Sequence, residues 1–274
     1  MTEHYFENSF IRLHYYRFGE GSHSMLCFHG YGMHGKQFKI LEGTALASDY
    51  TFYGFDLFFH KGTRLSDESI ETVKAGISKQ DFADLIAGFC RSENIDRFSV
   101  MGYSMGTHYA TVLAEELGDR IDRFVAASPS CLRPGSLVRF FSKNKAGNKL
   151  LEKLALSEKG LSNMLKASRK LNLVDDVGYD ILSREIATPE LRFSFYACFT
   201  YLRFFDTDEQ RLIASLNGNG IKSIFIFGKR DRMYPPGIGK KLIARLNNVK
   251  VIVLDETHEM INRDFVSALS AALL

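Results

Sequence analysis

Little in this sequence points to metal, disulfide or membrane chemistry. Its four cysteines, Cys27, Cys90, Cys131 and Cys198, are scattered, with no C-x-x-C pair and no short Cys/His spacing. That excludes a disulfide framework or a zinc-ligand pattern and fits a reducing compartment. The formal charge of +3 is too small to argue by itself for nucleic acid or a membrane surface. No Arg/Lys stripe interleaved with stacking aromatics marks a nucleic-acid footprint. The longest apolar run, residues 193–205, carries Arg203 and falls short of the roughly 20 residues that span a bilayer. The first eight residues are mixed and polar, without the pattern of a secretory signal. The expectation is a soluble cytoplasmic protein with no metal, no nucleic-acid partner and no stable membrane insertion. Its oligomeric state is not legible.

What is present is an ordinary globular composition, 45% apolar and 24% charged over 274 residues, enough for one sizeable core. Short β-type runs alternate with helical stretches. Residues 9–18 read as a strand or hairpin, and 24–28 and 51–55 as buried strands stopped by His29-Gly30 and by Asp56. Residues 80–90 carry the i, i+3, i+4 apolar spacing of a helix. A strand over 98–101 runs into Gly102, a helix over 107–117 stops at Gly118, and a strand follows over 124–127. From 130 to 217 only helical periodicity appears. Thr188-Pro189-Glu190 reads as a helix start, and Asp206 with Glu209 as a capping box. Strands return at 223–227 and 249–254, with a helix expected over 239–246. This alternation predicts an α/β fold, a mostly parallel sheet with helices on both faces. The core would comprise 1–129 and 218–274, with 130–217 inserted as one helical cap.

The sharpest motif is Gly102-Tyr103-Ser104-Met105-Gly106, a G-x-S-x-G between a strand and a helix. A serine nucleophile needs its hydroxyl presented bare, beside a base, where backbone N–H groups meet a developing oxyanion. In a chain with 22 glycines, chance alone supplies roughly 0.15 such strings, so the flanking strand and helix carry the inference. The bland alternative is a glycine-rich strand–helix turn. His29-Gly30-Tyr31-Gly32 offers a second backbone donor; Tyr31 N–H and Met105 N–H are the candidate oxyanion hole.

The base must be a histidine, and eight are present. His4, His14 and His23 lie in the first strands, and His108 sits on the helix after Ser104, where it is expected to pack in the core. His29, His34 and His60, with Tyr103, are candidates for the pocket wall. His258, beyond the last strand in Asp255-Glu-Thr-His258, is the best placed base. Asp231, after the strand at 223–227, is the best placed acid, although alone it would read as a solvated turn aspartate among basic neighbours. No acid follows the strand at 124–127, which ends in Ala-Ser-Pro.

The order Ser104, Asp231, His258 is that of α/β-hydrolases, and the sequence resembles that superfamily, in its capped serine esterase and C–C hydrolase branch. His29-Gly30, Asp56 with His60 and Gly62, the elbow, Asp231 and His258 all fall in the family's order. The segment Asp56-Leu-Phe-Phe-His60-Lys-Gly62 departs from the family's Asp-x-Pro/Arg-Gly-His-Gly: proline and first glycine are lost, and one residue is added before Gly62. The resemblance implies a cofactor-free hydrolase of small-molecule esters or thioesters. A C–C hydrolase or cofactor-free haloperoxidase with the same triad is the alternative, and a ligand receptor on this fold a further one. The aromatic run at 193–205 reads first as a helix buried between cap and core, second as a pocket wall for an apolar acyl group. Residues 133–170 carry ten Lys/Arg against Glu152 and Glu158, a solvated face or an attractor for an anionic substrate such as an acyl-CoA, or for an anionic membrane.

Overall fold

The computed structural model describes residues 1–274 apart from Pro134, Glu158 and Asp175, and apart from the side chains of residues 136, 137, 177 and 181. The acidic Glu158 of the basic stretch therefore lies outside the described residues. The first strands are β1 (Thr2–Glu7), β2 (Ile11–Phe18) and β3 (His23–Phe28), followed by α1 (Leu46–Asp49), β4 (Tyr50–Phe55) and β5 (Arg64–Leu65). Then come α2 (Ile70–Ala75), α3 (Lys79–Ser92), β6 (Phe98–Tyr103), α4 (Gly106–Glu116) and β7 (Ile121–Ala127). Six helices follow: α5 (Ser136–Lys143), α6 (Lys145–Leu156), α7 (Gly160–Lys170), α8 (Asp176–Glu185), α9 (Pro189–Tyr201) and α10 (Glu209–Gly218). The chain closes with β8 (Lys222–Gly228), α11 (Lys240–Ile243), β9 (Val249–Leu254) and α12 (Arg263–Leu273).

Among the described residues nine strands form one sheet in the order β1-β2-β4-β3-β6-β7-β8-β9, with β5 beside β2. From β4 to β9 every pair is parallel; β1, β2 and β5 pair antiparallel at one edge. The inner strands are continuous apolar runs because both faces are covered. Phe28, Val100, Phe124 and Phe225 point to one face, Cys27, Met101, Val125 and Ile224 to the other. Helices α3, α4 and α10 cover the first face; α12 and a 3-10 stretch over Gly35–Leu41 cover the second. Of the helices between β7 and β8, α5 to α9 pack on one another in chain order and α10 packs on α4.

Several local expectations change. The polar start of the chain forms β1, an edge strand whose alternating pattern leaves four of its six residues exposed. The helix expected over 239–246 shrinks to the four residues of α11. The cap of α10 is Asp208, accepting N–H bonds of 3.1 Å from both Gln210 and Arg211, while Asp206 instead pairs with Lys143. Thr188 does cap α9, with Pro189 in its first turn. Among the described residues no helix is long and apolar enough to cross a membrane.

The fold positions a site by its strand order. Going out from β3, the chain builds β4 on one side and β6 on the other, so loops leaving β3 and β6 part and open a crevice at their C-terminal ends. The loops after β7, β8 and β9 emerge at the same edge.

Candidate active site

Ser104 follows β6 directly, in the left-handed region at φ 49°, a conformation a side chain adopts only under constraint. The constraint is visible: Ser104 N–H donates to Ala127 O at 2.9 Å, fixing the turn to β7. A Cβ on Gly102 would come within 2.5 Å of Gly106 O, and one on Gly106 within 2.0 Å of Phe28 O. Only glycine fits at either flank, which is what lets α4 start immediately beside β3 and β6. Ser104 Oγ lies 3.0 Å from His258 Nε2.

His258 stands on the loop after β9, and the Tyr103 hydroxyl donates to its carbonyl oxygen at 2.6 Å. Its Nδ1 is 2.9 Å from Asp231 Oδ2. With the Nδ1 proton directed at that carboxylate, Nε2 is left as the acceptor facing Ser104. Asp231 is 2% exposed, and its Oδ1 accepts N–H bonds of 2.9 Å from Met233 and Tyr234. Burial alone would raise this carboxyl, but hydrogen bonds from His258, Ser128 and Tyr234 N–H outweigh it and hold it below the usual range.

The turn after β3 supplies the remaining element. Gly30 N–H donates to Gln37 Oε1 at 3.1 Å, and Gly32 N–H to His60 Nε2 at 3.2 Å. Between them, Tyr31 N–H makes no hydrogen bond among the described residues, and neither does Met105 N–H at the start of α4. Both belong to loops at the β3/β6 crevice, beside Ser104.

Comparison with known proteins identifies the fold that carries these loops. The family model for the alpha/beta hydrolase fold matches residues 24–159. The chain has the alpha/beta hydrolase fold. A hydrolase from Pseudomonas aeruginosa PA01 superposes with a TM-score of 0.70 at 17% identity, over 99% of this chain and 97% of that one. A bacterial membrane phospholipase A gives 0.68 at 16%, over 99% and 85%. A thermophilic esterase from Thermogutta terrifontis gives 0.64 at 15%, over 100% and 98%. At such identities the likeness is one of fold. No curated protein sequence matches the chain.

The histidines expected at the pocket wall, His29, His34 and His60, do not line it. The cavity at Ser104, about 1140 Å³, is lined by Tyr103 but not by His29, His34 or His60. His29 is fully buried behind the turn; its Nδ1–H donates to Gly30 O at 2.7 Å and its Nε2 accepts Leu57 N–H at 3.1 Å. His60 works alike, with Nδ1–H on Phe58 O at 2.9 Å and Nε2 on Gly32 N–H. Burial pushes both histidines down, His60 to about 4, so each is a neutral brace for backbone rather than a wall residue. His34 sits against Tyr16 and is also lowered by burial. His108 packs inside, its Nδ1 3.2 Å from Phe205 O.

Asp56 ties this region together. Its Oδ1 accepts Gly35 N–H at 2.8 Å, and its Oδ2 accepts Gly62 N–H at 2.9 Å and lies 2.7 Å from His14 Nδ1. The irregular segment after it is accommodated by two left-handed residues, Phe59 at φ 61° and Lys61 at φ 43°.

Helix α9 does not wall the large cavity either. Its Phe195 and Phe199 rings pack on Tyr31 at 5.8 and 6.1 Å between centroids, while the wall comes from Leu173, Val174 and Leu182 before and within α8.

Ser128 is the residue that sequence reasoning missed. It follows β7, fully buried at φ 46°, with its N–H held by Ile226 O at 2.8 Å. Its hydroxyl donates to Asp231 Oδ2, and its oxygen lies 2.9 Å from His258 Nδ1. It fills the place after β7 where the sequence has no acid. The tripeptide Ala-Ser-Pro offered one signal, a polar residue at a strand's C-terminal end.

Proposed function

We propose that the chain is a serine hydrolase that cleaves a carboxylic ester or thioester through an acyl-enzyme on Ser104. The observation that carries the reading is the continuous relay from Ser104 Oγ through His258 to Asp231, at 3.0 and 2.9 Å, opening on a cavity of about 1140 Å³. His258 Nε2 takes the Ser104 proton as the hydroxyl oxygen attacks the carbonyl carbon. The oxyanion so formed is stabilised by Tyr31 and Met105 N–H, the two donors left uncommitted beside the serine. Collapse breaks the bond to the leaving alcohol or thiol, which receives the proton from His258. Water then adds to the acyl-enzyme with the same histidine as base, and the carboxylic acid leaves. Asp231, held ionised by its four hydrogen bonds, fixes the histidine tautomer and stabilises the imidazolium.

An apolar acyl group suits the cavity, whose wall includes Met33, Leu173, Val174, Leu182, Met233 and Ile261. In this reading the helices between β7 and β8 act as a cap. The test is mass-spectrometric labelling with a fluorophosphonate probe, comparing the native chain with Ser104→Ala. A single adduct on the Ser104 peptide, absent in the variant, is expected. A folded native protein that takes no adduct would remove the serine-hydrolase reading.

A further inference from the structure

A second cavity, about 550 Å³, lies between α2, α5, α6 and the end of α9 and shares no lining residue with the cavity at Ser104. Its charge is one-sided. Lys74 comes from α2, Lys143 from α5 and Arg203 from the turn after α9. Lys145, Lys149 and Lys153 come from α6, where a spacing of four puts them on one face. Among the described residues Glu152 is the one acid in the lining. It takes Lys74 at 2.9 Å, and Asp206 takes Lys143. Among the described residues the three α6 lysines have no ion-pair partner. The Arg203 guanidinium is braced on Thr200 O and Ala75 O, at 2.9 and 2.8 Å, so its position is fixed without its charge being neutralised.

A basic helix face turned to open water is ordinary. Here cations from four separate elements converge on one concavity, where the field of each adds to the others and like-charge neighbours at i, i+4 destabilise the helix that bears them. Asn148, Ser142 and Thr200 supply neutral hydrogen-bonding groups at the floor; Asn148 Nδ2 already donates to Thr200 Oγ1 at 2.8 Å. The lining sets the size and charge of an anion that would suit it. Four cations remain uncompensated, and Lys145 to Lys153 extends over about 12 Å of helix. One carboxylate or one phosphate is too short and too weakly charged. Two phosphate groups bring about three to four negative charges at neutral pH, with oxygens enough to reach several ammonium groups.

We propose that this cleft binds a small molecule carrying two phosphate groups, a diphosphate or bisphosphate ester, at a site separate from Ser104. The experiment is titration calorimetry of the full chain with sodium pyrophosphate at physiological ionic strength, repeated on Lys149→Glu/Lys153→Glu and on the milder Lys149→Gln. Saturable binding is expected. It should weaken roughly tenfold or more in the double variant and by a smaller factor in Lys149→Gln, with melting temperatures no lower than that of the native chain. Absence of binding to the native chain would overturn the proposal, as would equal affinity in all three proteins. Binding to phosphatidylglycerol vesicles without binding to pyrophosphate would assign the face to a lipid surface and overturn it too. None of these readouts depends on ester turnover, so the outcome is independent of the assignment of Ser104.

Discussion

Two buried serines at left-handed φ, Ser104 and Ser128, terminate adjacent parallel strands, and their backbone strain is held by N–H bonds to the next strand along. Ser104 was legible because its signal is local: Gly102 and Gly106 stand two residues away and report the tight elbow themselves. Asp231 and His258 were legible as loop residues after strands. Ser128 was not, because its partners lie 103 and 130 residues away and nothing in Ala-Ser-Pro announces them. Its hydroxyl donates to the same oxygen that His258 addresses, helping keep Asp231 ionised. Ser128→Ala removes one donor from a buried carboxylate, an interaction worth about 1.5–3 kcal/mol. The expected outcome is a fall in kcat for a neutral ester of roughly ten- to a hundredfold, with KM little changed. Ser128→Thr, which keeps the hydroxyl, should recover most of the loss. An alanine variant with native kcat across the pH range would show that Asp231 and His258 need no such brace.

At the scale of elements, the turn after β3 is set by neighbours rather than by its own sequence. His29-Gly30 marked its start, but its shape depends on His60, whose Nε2 must be unprotonated to accept Gly32 N–H. That role was hidden because the loop bearing His60 departs from the family pattern and reaches the turn only through left-handed Phe59 and Lys61. The sequence expectation of wall histidines failed for the same reason: these imidazoles satisfy backbone groups that burial would otherwise strand. The histidine's folded-state value of about 4 lies below the ordinary 6.5, so the unfolded chain takes up the proton first. Stability from this group is therefore full above about 6.5 and falls as pH drops toward 4, by on the order of 3 kcal/mol. Thermal melting from pH 7 to 4.5 should show this loss, and His60→Gln should show a flatter profile with a lower starting point at pH 7. Parallel profiles for the two proteins would place the acid sensitivity elsewhere.

Over the whole molecule, the α/β alternation made the parallel sheet legible, whereas the edges did not read so cleanly: β1 is too polar and exposed to carry a strand signal. Long-range ties between helices were also invisible. Glu115, near the end of α4, has a fully buried side chain, pairs with Lys79 at the start of α3, and accepts Asp208 N–H at 2.9 Å where α10 begins. One carboxylate thus fixes three helices on one face of the sheet, and through α10 anchors the end of the helical segment between β7 and β8. Deleting one member of such a buried pair strands the other, at a cost of about 3–5 kcal/mol. Glu115→Ala should therefore lower the melting temperature by roughly 6–15 °C, at about 2–3 °C per kcal/mol for a chain of this size. Lys79→Met combined with Glu115→Leu removes both charges and replaces them with apolar volume, so it should recover much of that loss. The decisive quantity is the coupling between the two positions, measured by denaturant unfolding of both singles and the double. If the two losses simply add, the two charges are not coupled and α3, α4 and α10 are held by their apolar faces alone.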